Sequence, residues 1–448
     1  MNDFTQYISE YTKDKSVCIL GFGREGRSTY RILAQYCSPK SVTIADLNPV
    51  DREKNELPEN VGLICGEAYQ DSLSDFDIVF KSPGIVLKKQ PSELDCLITS
   101  ETQVFFEVFR EQIVGITGTK GKSTTSSLIY HILRESGKDT RLAGNIGIPV
   151  FDIAEDITDD TIIVCELSCH QLEYMTVSPK YAVFLNLYEE HLDHYGTMER
   201  YYGAKKNIYL HQASSDELVI SAEIIPDDIA QRVTTLSNSF ACADVFVKDG
   251  IINDDDFHEY QIPEGHIRLL GIHNHYNIAA AYHICRELGV DDVAFTKALC
   301  SFDPLAHRLE FVDTVRGIRW YDDSISTACA TAIEALKSVP EPGTILLGGM
   351  DRGIDYTPLV DFLRDFSVNV ICMEASGQRI FDQIQAADFP SPERVHFAPH
   401  LEDAVKLAAE ITPQGKSCVL SPASASYGIF KNFEERGDAF KSLVAGLK

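Results

Sequence analysis

Residues Ile113–Leu128 read IVGITGTKGKSTTSSL, and this stretch constrains the fold of the chain more than any other. An apolar strand over Ile113–Ile116 runs into a turn carrying Gly118 and Gly121, and a helix opens there and continues through Leu128 to about Leu133. Glycine tolerates the φ such a turn demands and adds no Cβ, so backbone N–H groups can close on a polyphosphate. The helix N-terminus adds donors and a dipole that favours anions. Strand, turn and helix in this order belong to a parallel sheet with helical crossovers, so an α/β architecture is predicted. Gly118, Thr119, Lys120, Gly121, Lys122, Ser123 and Thr124 are the predicted ATP contacts. Lys122 is placed to reach the terminal phosphates, and the Ser123 hydroxyl a phosphate-bound Mg²⁺. The position five before Gly121 is Ile116 rather than glycine, but the tighter form G-T-x-G-K-S-T is met.

A chain of 448 residues exceeds one ordinary core, and two or three domains are expected. Lys+Arg 40 against Asp+Glu 67 gives a net charge of −27. That balance supplies no basic field for a nucleic-acid backbone or an anionic membrane, so an anionic substrate must be held by a few local cations and N–H donors. The start MNDFTQYISEYTKDKS lacks a charged-then-apolar signal pattern, and no apolar run approaches the roughly 18 residues that span a bilayer. The 12 cysteines include no C-x-x-C pair, and several lie inside strand-like runs. Reduced thiols in a cytoplasmic chain, expected to be monomeric, account for them.

Strand-like and helix-like segments alternate in three stretches, 1–105, 106–303 and 304–448, each read as an α/β domain with a largely parallel sheet. In the first, GFGREG follows the strand Ser16–Leu20 and opens a helix, with Asp46 at the end of the next strand. Gly23, Arg24, Glu25, Asp46, Asn48 and, in the turn after Ile78–Phe80, Ser82 are the candidates there for a pyrophosphate-bearing ligand, a dinucleotide or a UDP-sugar. In the second, Glu166 follows the strand Thr161–Cys165, a position suited to holding Mg²⁺ beside a phosphate loop. NLYEEHLDH (186–194) gathers Glu189, Glu190, His191 and Asp193 after another strand, and Lys205 and Lys206 fall in a helix. Zinc at NLYEEHLDH would need a partner cluster, and the sequence displays no convincing one. Asn274 and Asn277 share a helix face at i, i+3, suited either to an adenine edge or to capping. The acidic run Asn253–Asp256 reads as a solvated turn. In the third stretch AHR (306–308), YDDS (321–324), GGMDR (348–352) and SPASASYGIFKNF (421–433) each follow or flank strands.

In this order, GTKGKSTT, AGNIGIP, CELSCHQLE, NLYEEHLDH, AKKNIY, GIHNHYN, AHRLEF, DDS, LGGMDRG and SPASASYGIFKNFEERG resemble the Mur ligase family of peptidoglycan synthesis, over essentially the whole chain. The last segment resembles the glutamate-adding members. The resemblance implies a Rossmann-like UDP-binding domain, a central P-loop ATPase domain and a C-terminal Rossmann-like domain that brings the amino acid. It implies ATP-dependent addition of D-glutamate to UDP-N-acetylmuramoyl-L-alanine through an acyl phosphate. Further, it implies that Lys122, Glu166, His191 and Lys205 are catalytic, with Ser123, Glu166, His191 and a carbamylated Lys205 around two Mg²⁺ ions. Asn145 and His191 would approach the UDP-substrate; Asn274, Asn277, Arg308 and Asp323 would contact ATP; Thr327, Arg352, Ser426 and Phe433 would surround glutamate. Arg352 stands where familiar members often carry lysine, Ile325 where some carry lysine, and Gly428 and the GREGRS turn also depart, which leaves L-glutamate as the alternative. A nicotinamide dehydrogenase or an ATP-driven switch would leave most of these segments without a role.

Overall fold

The structure, a computed structural model, describes residues 3–448 apart from 225, 227, 228, 230, 255–257 and 388. Among the described residues it is an α/β chain with three mostly parallel sheets, one in each of three domains. Two compact units contain them: residues 1–262 with 276–299, and residues 263–275 with 300–448.

The first unit holds two sheets. One is parallel throughout, in the order Gly62–Cys65, Ser41–Asp46, Ser16–Leu20, Ile78–Lys81, Leu97–Thr99. The other has nine strands, running Glu259–Gln261, Ile251–Asn253, Val245–Lys248, Arg232–Ser237, Glu217–Ser221, Tyr181–Phe184, Ile113–Thr117, Ile162–Glu166, Thr140–Gly144. Its strand Ile113–Thr117, flanked on both sides by parallel neighbours, is buried at every position, as expected for a parallel strand covered on both faces. The two sheets share one apolar cluster. Phe4 packs against Phe105, Phe109 and Phe151, with the Phe4–Phe151 ring centroids 5.0 Å apart.

The second unit carries a six-stranded sheet in the order Glu310–Val315, Ile318–Asp322, Ser417–Leu420, Pro342–Leu347, Asn369–Met373, Val395–Ala398. Among the described residues its first pair is antiparallel and the others are parallel. Residues 263–275 group with this unit, and Leu270 packs against its core.

The antiparallel ribbons are absent from the sequence reading, yet their turns carry a signal. Asp249-Gly250 and Arg316-Gly317 join paired strands with positive φ at both residues (51° and 76°; 55° and 75°), the backbone of a two-residue hairpin turn. Glu166, expected just after a strand, is its last residue. Asp255 and Asp256 of the acidic run lie outside the described residues.

Candidate functional site

The register of the central sheet sets the site. Ile116 pairs with Glu166, and Thr117 with Phe184, so the phosphate loop, Glu166 and Leu185-Asn186 leave the sheet at the same carboxyl edge. That edge is where open α/β sheets bind ligands.

The loop is held by its neighbours. Gly118 has φ 153° and Gly121 φ 84°, and Gly121 caps the helix Lys122–Glu135. A Cβ on Gly121 would lie 2.5 Å from Asn277 Oδ1, so only glycine fits. Asn186, which no sequence motif singles out for a role, is the organiser. Its Oδ1 accepts from Thr119 N at 3.0 Å and Lys120 N at 2.8 Å, and its Nδ2 donates to Lys120 O at 3.0 Å. The Thr119 side chain turns inward, 3.1 Å from the Tyr201 hydroxyl. Lys120 is exposed and paired with Glu190 at 2.7 Å. Thr125 Oγ1 donates to Asn277 Oδ1 at 3.3 Å, which fixes Asn277 against the loop's helix.

Two lysines converge on the loop. Lys122 Nζ donates to Gly118 O and Thr119 O, both at 3.0 Å. Lys205, in the helix Met198–Lys206, donates to Gly118 O at 2.8 Å and is 1% exposed. Burial, reinforced by the charge of Lys122, pulls the Lys205 amine down to about 7. Burial also lowers Lys122, opposed by the charges of Glu166 and Glu190. Lys206 instead lies over the Tyr202 ring, at 4.4 Å.

Glu166 is 1% exposed. Its Oε1 accepts from Asn145 Nδ2 at 2.7 Å, while Oε2 is buried with no hydrogen-bond partner in the protein. A buried carboxylate oxygen left open in this way is suited to a hard cation. The helix-opening position puts Ser123 at the same loop. His191, at φ 57°, caps the short helix Leu192–Tyr195 and is 43% exposed. The structure supplies the partner cluster that the sequence does not display. Cys169, His170 and His191 each offer a ligand atom within 4.8 Å of the others, although His191 lies more than 20 residues beyond the first pair. Burial and the neighbouring His194 and His191 push His170 down to about 4.

In the first sheet's domain the candidates divide. Gly23 and Arg24 line an open groove of about 580 Å³ with Arg27, Ser28, Arg31 and Asp152. Arg24 also donates to Gly147 O at 3.1 Å. Asp46 does not present a free carboxylate: Oδ2 accepts from Phe22 N at 2.7 Å and Oδ1 from Asn48 N at 2.8 Å. Ser82 Oγ donates to Gly21 O at 2.9 Å, so Asp46, Asn48 and Ser82 brace the glycine turn. Glu25 faces inward, taking a hydrogen bond from Gln171 at 2.9 Å, and burial pushes its carboxyl up to about 7.

In the second unit, Asn274 donates back to Leu270 O at 2.6 Å, the behaviour of a helix-start residue. Arg308 is exposed. Asp323 is buried, accepting from Ser421 Oγ at 2.7 Å, and desolvation raises it to about 7 against that bond. The segment after the strand Ser417–Leu420 runs beside the loop after Pro342–Leu347, with Met350 N donating to Ala425 O at 2.8 Å. This brings the segments of Ser426 and Arg352 together; Ser426 is buried, and Arg352 and Thr327 are exposed. Arg436, missed in the sequence, ties this region. It is fully buried and donates to Ser324 Oγ, Ser324 O and Ser424 O, while Ser324 Oγ donates to Phe433 O at 2.8 Å.

An edge carrying a glycine loop, two lysines on its carbonyls and an open carboxylate oxygen is the equipment of a P-loop enzyme that works on phosphates. Comparison with known proteins narrows that class. Residues 116–285 match the Mur ligase middle domain, and residues 15–104 the Mur ligase MurD-like N-terminal domain. The UDP-N-acetylmuramoylalanine--D-glutamate ligase of Clostridium kluyveri is 32% identical over 459 residues, covering 99% of this chain and 98% of its own. That of Acetivibrio thermocellus is 33% identical over 478 residues, covering 100% and 99%. The chain belongs to the Mur ligase family. In fold it is similar to the MurF ligase of Thermotoga maritima solved with ADP, with TM-score 0.60 and 17% identity over 100% of both chains. It is likewise similar to the MurC ligase of that organism, with TM-score 0.59 and 16% identity, covering 97% of this chain and 100% of the other. Among the described residues no helix is long and apolar enough to cross a membrane.

Proposed function

We propose that this chain is the ATP-dependent ligase that joins D-glutamate to UDP-N-acetylmuramoyl-L-alanine, a cytoplasmic step of peptidoglycan precursor synthesis. The observation that carries the reading is the convergence of Lys122 and Lys205 on the Gly118 carbonyl at the edge that also holds Glu166. The full-length relatives named for D-glutamate addition support the choice of substrates.

A carboxylate is a poor electrophile, so the reaction first needs a leaving group. An oxygen of the substrate carboxylate attacks the γ-phosphorus of ATP, the bond to the β-phosphate oxygen breaks, and ADP leaves. The glutamate amine then attacks the acyl carbon, loses a proton, and the tetrahedral intermediate expels phosphate. Loop N–H groups and Lys122 neutralise charge on the transferring phosphoryl group. Asn277 braces the loop, and Asn145 orients the Glu166 carboxylate. Glu166 and Ser123, joined by His191 and a carbamate on Lys205, would hold Mg²⁺. The open, buried Glu166 Oε2 fits that ion. When bound, Mg²⁺ offsets phosphate charge. Only a neutral amine takes up CO₂, and the low affinity of Lys205 for its proton favours that form. Gly23 and Arg24, in the arginine-lined groove, are assigned to the UDP-substrate with His191; Thr327, Arg352, Ser426 and Phe433 to glutamate; Arg308, Asp323 and Asn274 to the nucleotide. The domain limits 1–105, 106–303 and 304–448 belong to this assignment.

The test is phosphate release from ATP with D- and L-glutamate side by side. Release that requires both the UDP-substrate and D-glutamate is expected. Release with L-glutamate alone would reverse the stereochemistry, and ATP hydrolysis indifferent to both substrates would remove the ligase reading.

A further inference from the structure

We propose that Cys169, His170 and His191 form a binding site for a zinc-class divalent cation, next to the phosphate loop and chemically distinct from the oxygen-donor position at Glu166. Three observations carry it. The first is the donor set: one sulfur and two imidazole nitrogens, mutually within 4.8 Å. Thiolate and imidazole select Zn²⁺, Co²⁺ and related ions over Mg²⁺, which takes oxygen ligands.

The second is how the donors are held. Ser168 and Gln171 form a reciprocal capping box that fixes the short turn bearing Cys169 and His170. Tyr195 OH lies 3.3 Å from His170 Nδ1. An outer hydrogen-bond partner of this kind is what orients a metal-bound imidazole. The Tyr195 ring stacks on His170, with centroids 5.6 Å apart.

The third is reach. Zinc bonds of about 2.0–2.3 Å set tetrahedral donors roughly 3.5 Å apart. The three donors, all within 4.8 Å of one another, must therefore close by at most about 1.3 Å. Three protein ligands leave a fourth position open to water or a phosphate oxygen.

The site shares His191 with the proposed Mg²⁺ ligands, so its functional consequence rests on the ligase reading, but its existence does not. A cation held by these three residues withdraws His191 from the ligase site.

The test is a Co²⁺ titration of the metal-free full-length protein, followed by absorption. One equivalent should bind with a thiolate-to-cobalt charge-transfer band in the near ultraviolet, displaced by one equivalent of Zn²⁺ and not by a large excess of Mg²⁺. Cys169→Ser should abolish the band. His170→Phe and His191→Ala should each weaken binding by about 10–100-fold or more, with thermal melting confirming that each variant is folded. The proposal is overturned if no thiolate band forms, if the band survives Cys169→Ser and so belongs to another of the 12 cysteines, or if Mg²⁺ displaces the cobalt. In the ligase assay, micromolar Zn²⁺ should inhibit against excess Mg²⁺, with inhibition lost in His170→Phe. Failure of the ligase reading would silence this last assay and leave the cobalt spectrum unchanged.

Discussion

Asn186→Ala tests whether the phosphate loop is built by a side chain outside it. The substitution removes the acceptor of Lys120 N, the donor to Lys120 O and one of two acceptors of Thr119 N, which keeps the Asn186 main-chain carbonyl at 3.0 Å. Two bonds are thus lost and a third is halved. Net contributions of about 0.5–1.5 kcal/mol per bond give roughly 1–3 kcal/mol. That energy falls on the ordered loop, which ATP requires and the rest of the unit does not. At 1.4 kcal/mol per tenfold, affinity for ATP should fall by about 5- to 150-fold. Asn186→Asp should be worse, because it keeps the acceptor but sets a carboxylate oxygen against Lys120 O and a negative charge beside the phosphates. The assay is calorimetric titration with MgATP, paired with thermal melting to confirm that the unit stays folded and with KM for glutamate as the indifferent parameter. ATP affinity within twofold of the parent, or an equal rise in KM for glutamate, would refute the claim that Asn186 orders the loop for ATP.

Lys122→Ala should abolish ADP formation, because no other loop lysine lies on the loop carbonyls from the helix start; near-normal turnover would mean ATP binds elsewhere. Lys205→Ala should be nearly inactive and partly restored by acetate, Lys205→Arg should stay inactive, and Lys206→Ala, whose ammonium lies over Tyr202, should keep most activity. A working Lys205→Arg, or carboxylate rescue confined to Lys206→Ala, would remove the carbamate assignment. Ser426→Ala and Arg352→Ala should raise KM for glutamate far more than for ATP or the UDP-substrate, since a bound carboxylate loses a charge-assisted partner; an equal rise for all three would place glutamate elsewhere. Glu101 is buried, and desolvation raises its carboxyl well above the ordinary value. The folded state therefore holds this proton more tightly than the unfolded chain, so stability is lost as pH rises above the ordinary carboxyl range. Glu101→Gln, which can still accept from Val150 N, should melt higher than the parent at pH 8, with the gap closing toward pH 5. A gap that does not change with pH would show that Glu101 titrates normally.

Much of this was legible in the chain. The phosphate loop, its flanking strand and helix, and the strand ending at Glu166 follow from local rules: apolar runs, glycines at positive φ, and a lysine at a helix start. Those rules act over a few residues, so local pattern alone specifies an α/β chain with ATP-type loop chemistry. The motif order that resembles the Mur ligases also lies wholly in the sequence. What it could not display is any contact between distant segments. Asn186 meets the loop 66 residues upstream, Arg436 meets Ser324 112 residues upstream, and His191 meets Cys169 and His170, only because parallel strands bring their carboxyl ends to one edge. Whether a polar side chain serves a ligand or the scaffold is decided the same way. Asp46 and Glu166 both end strands in parallel sheets. Asp46 gives one oxygen to the distant Phe22 amide and the other to the Asn48 amide two residues on, whereas tertiary packing leaves one Glu166 oxygen buried and open. Desolvation, which brings Lys205 toward a neutral amine while Lys206 stays on the helix's outer side over Tyr202, is a property of the packed fold and has no local sequence signature.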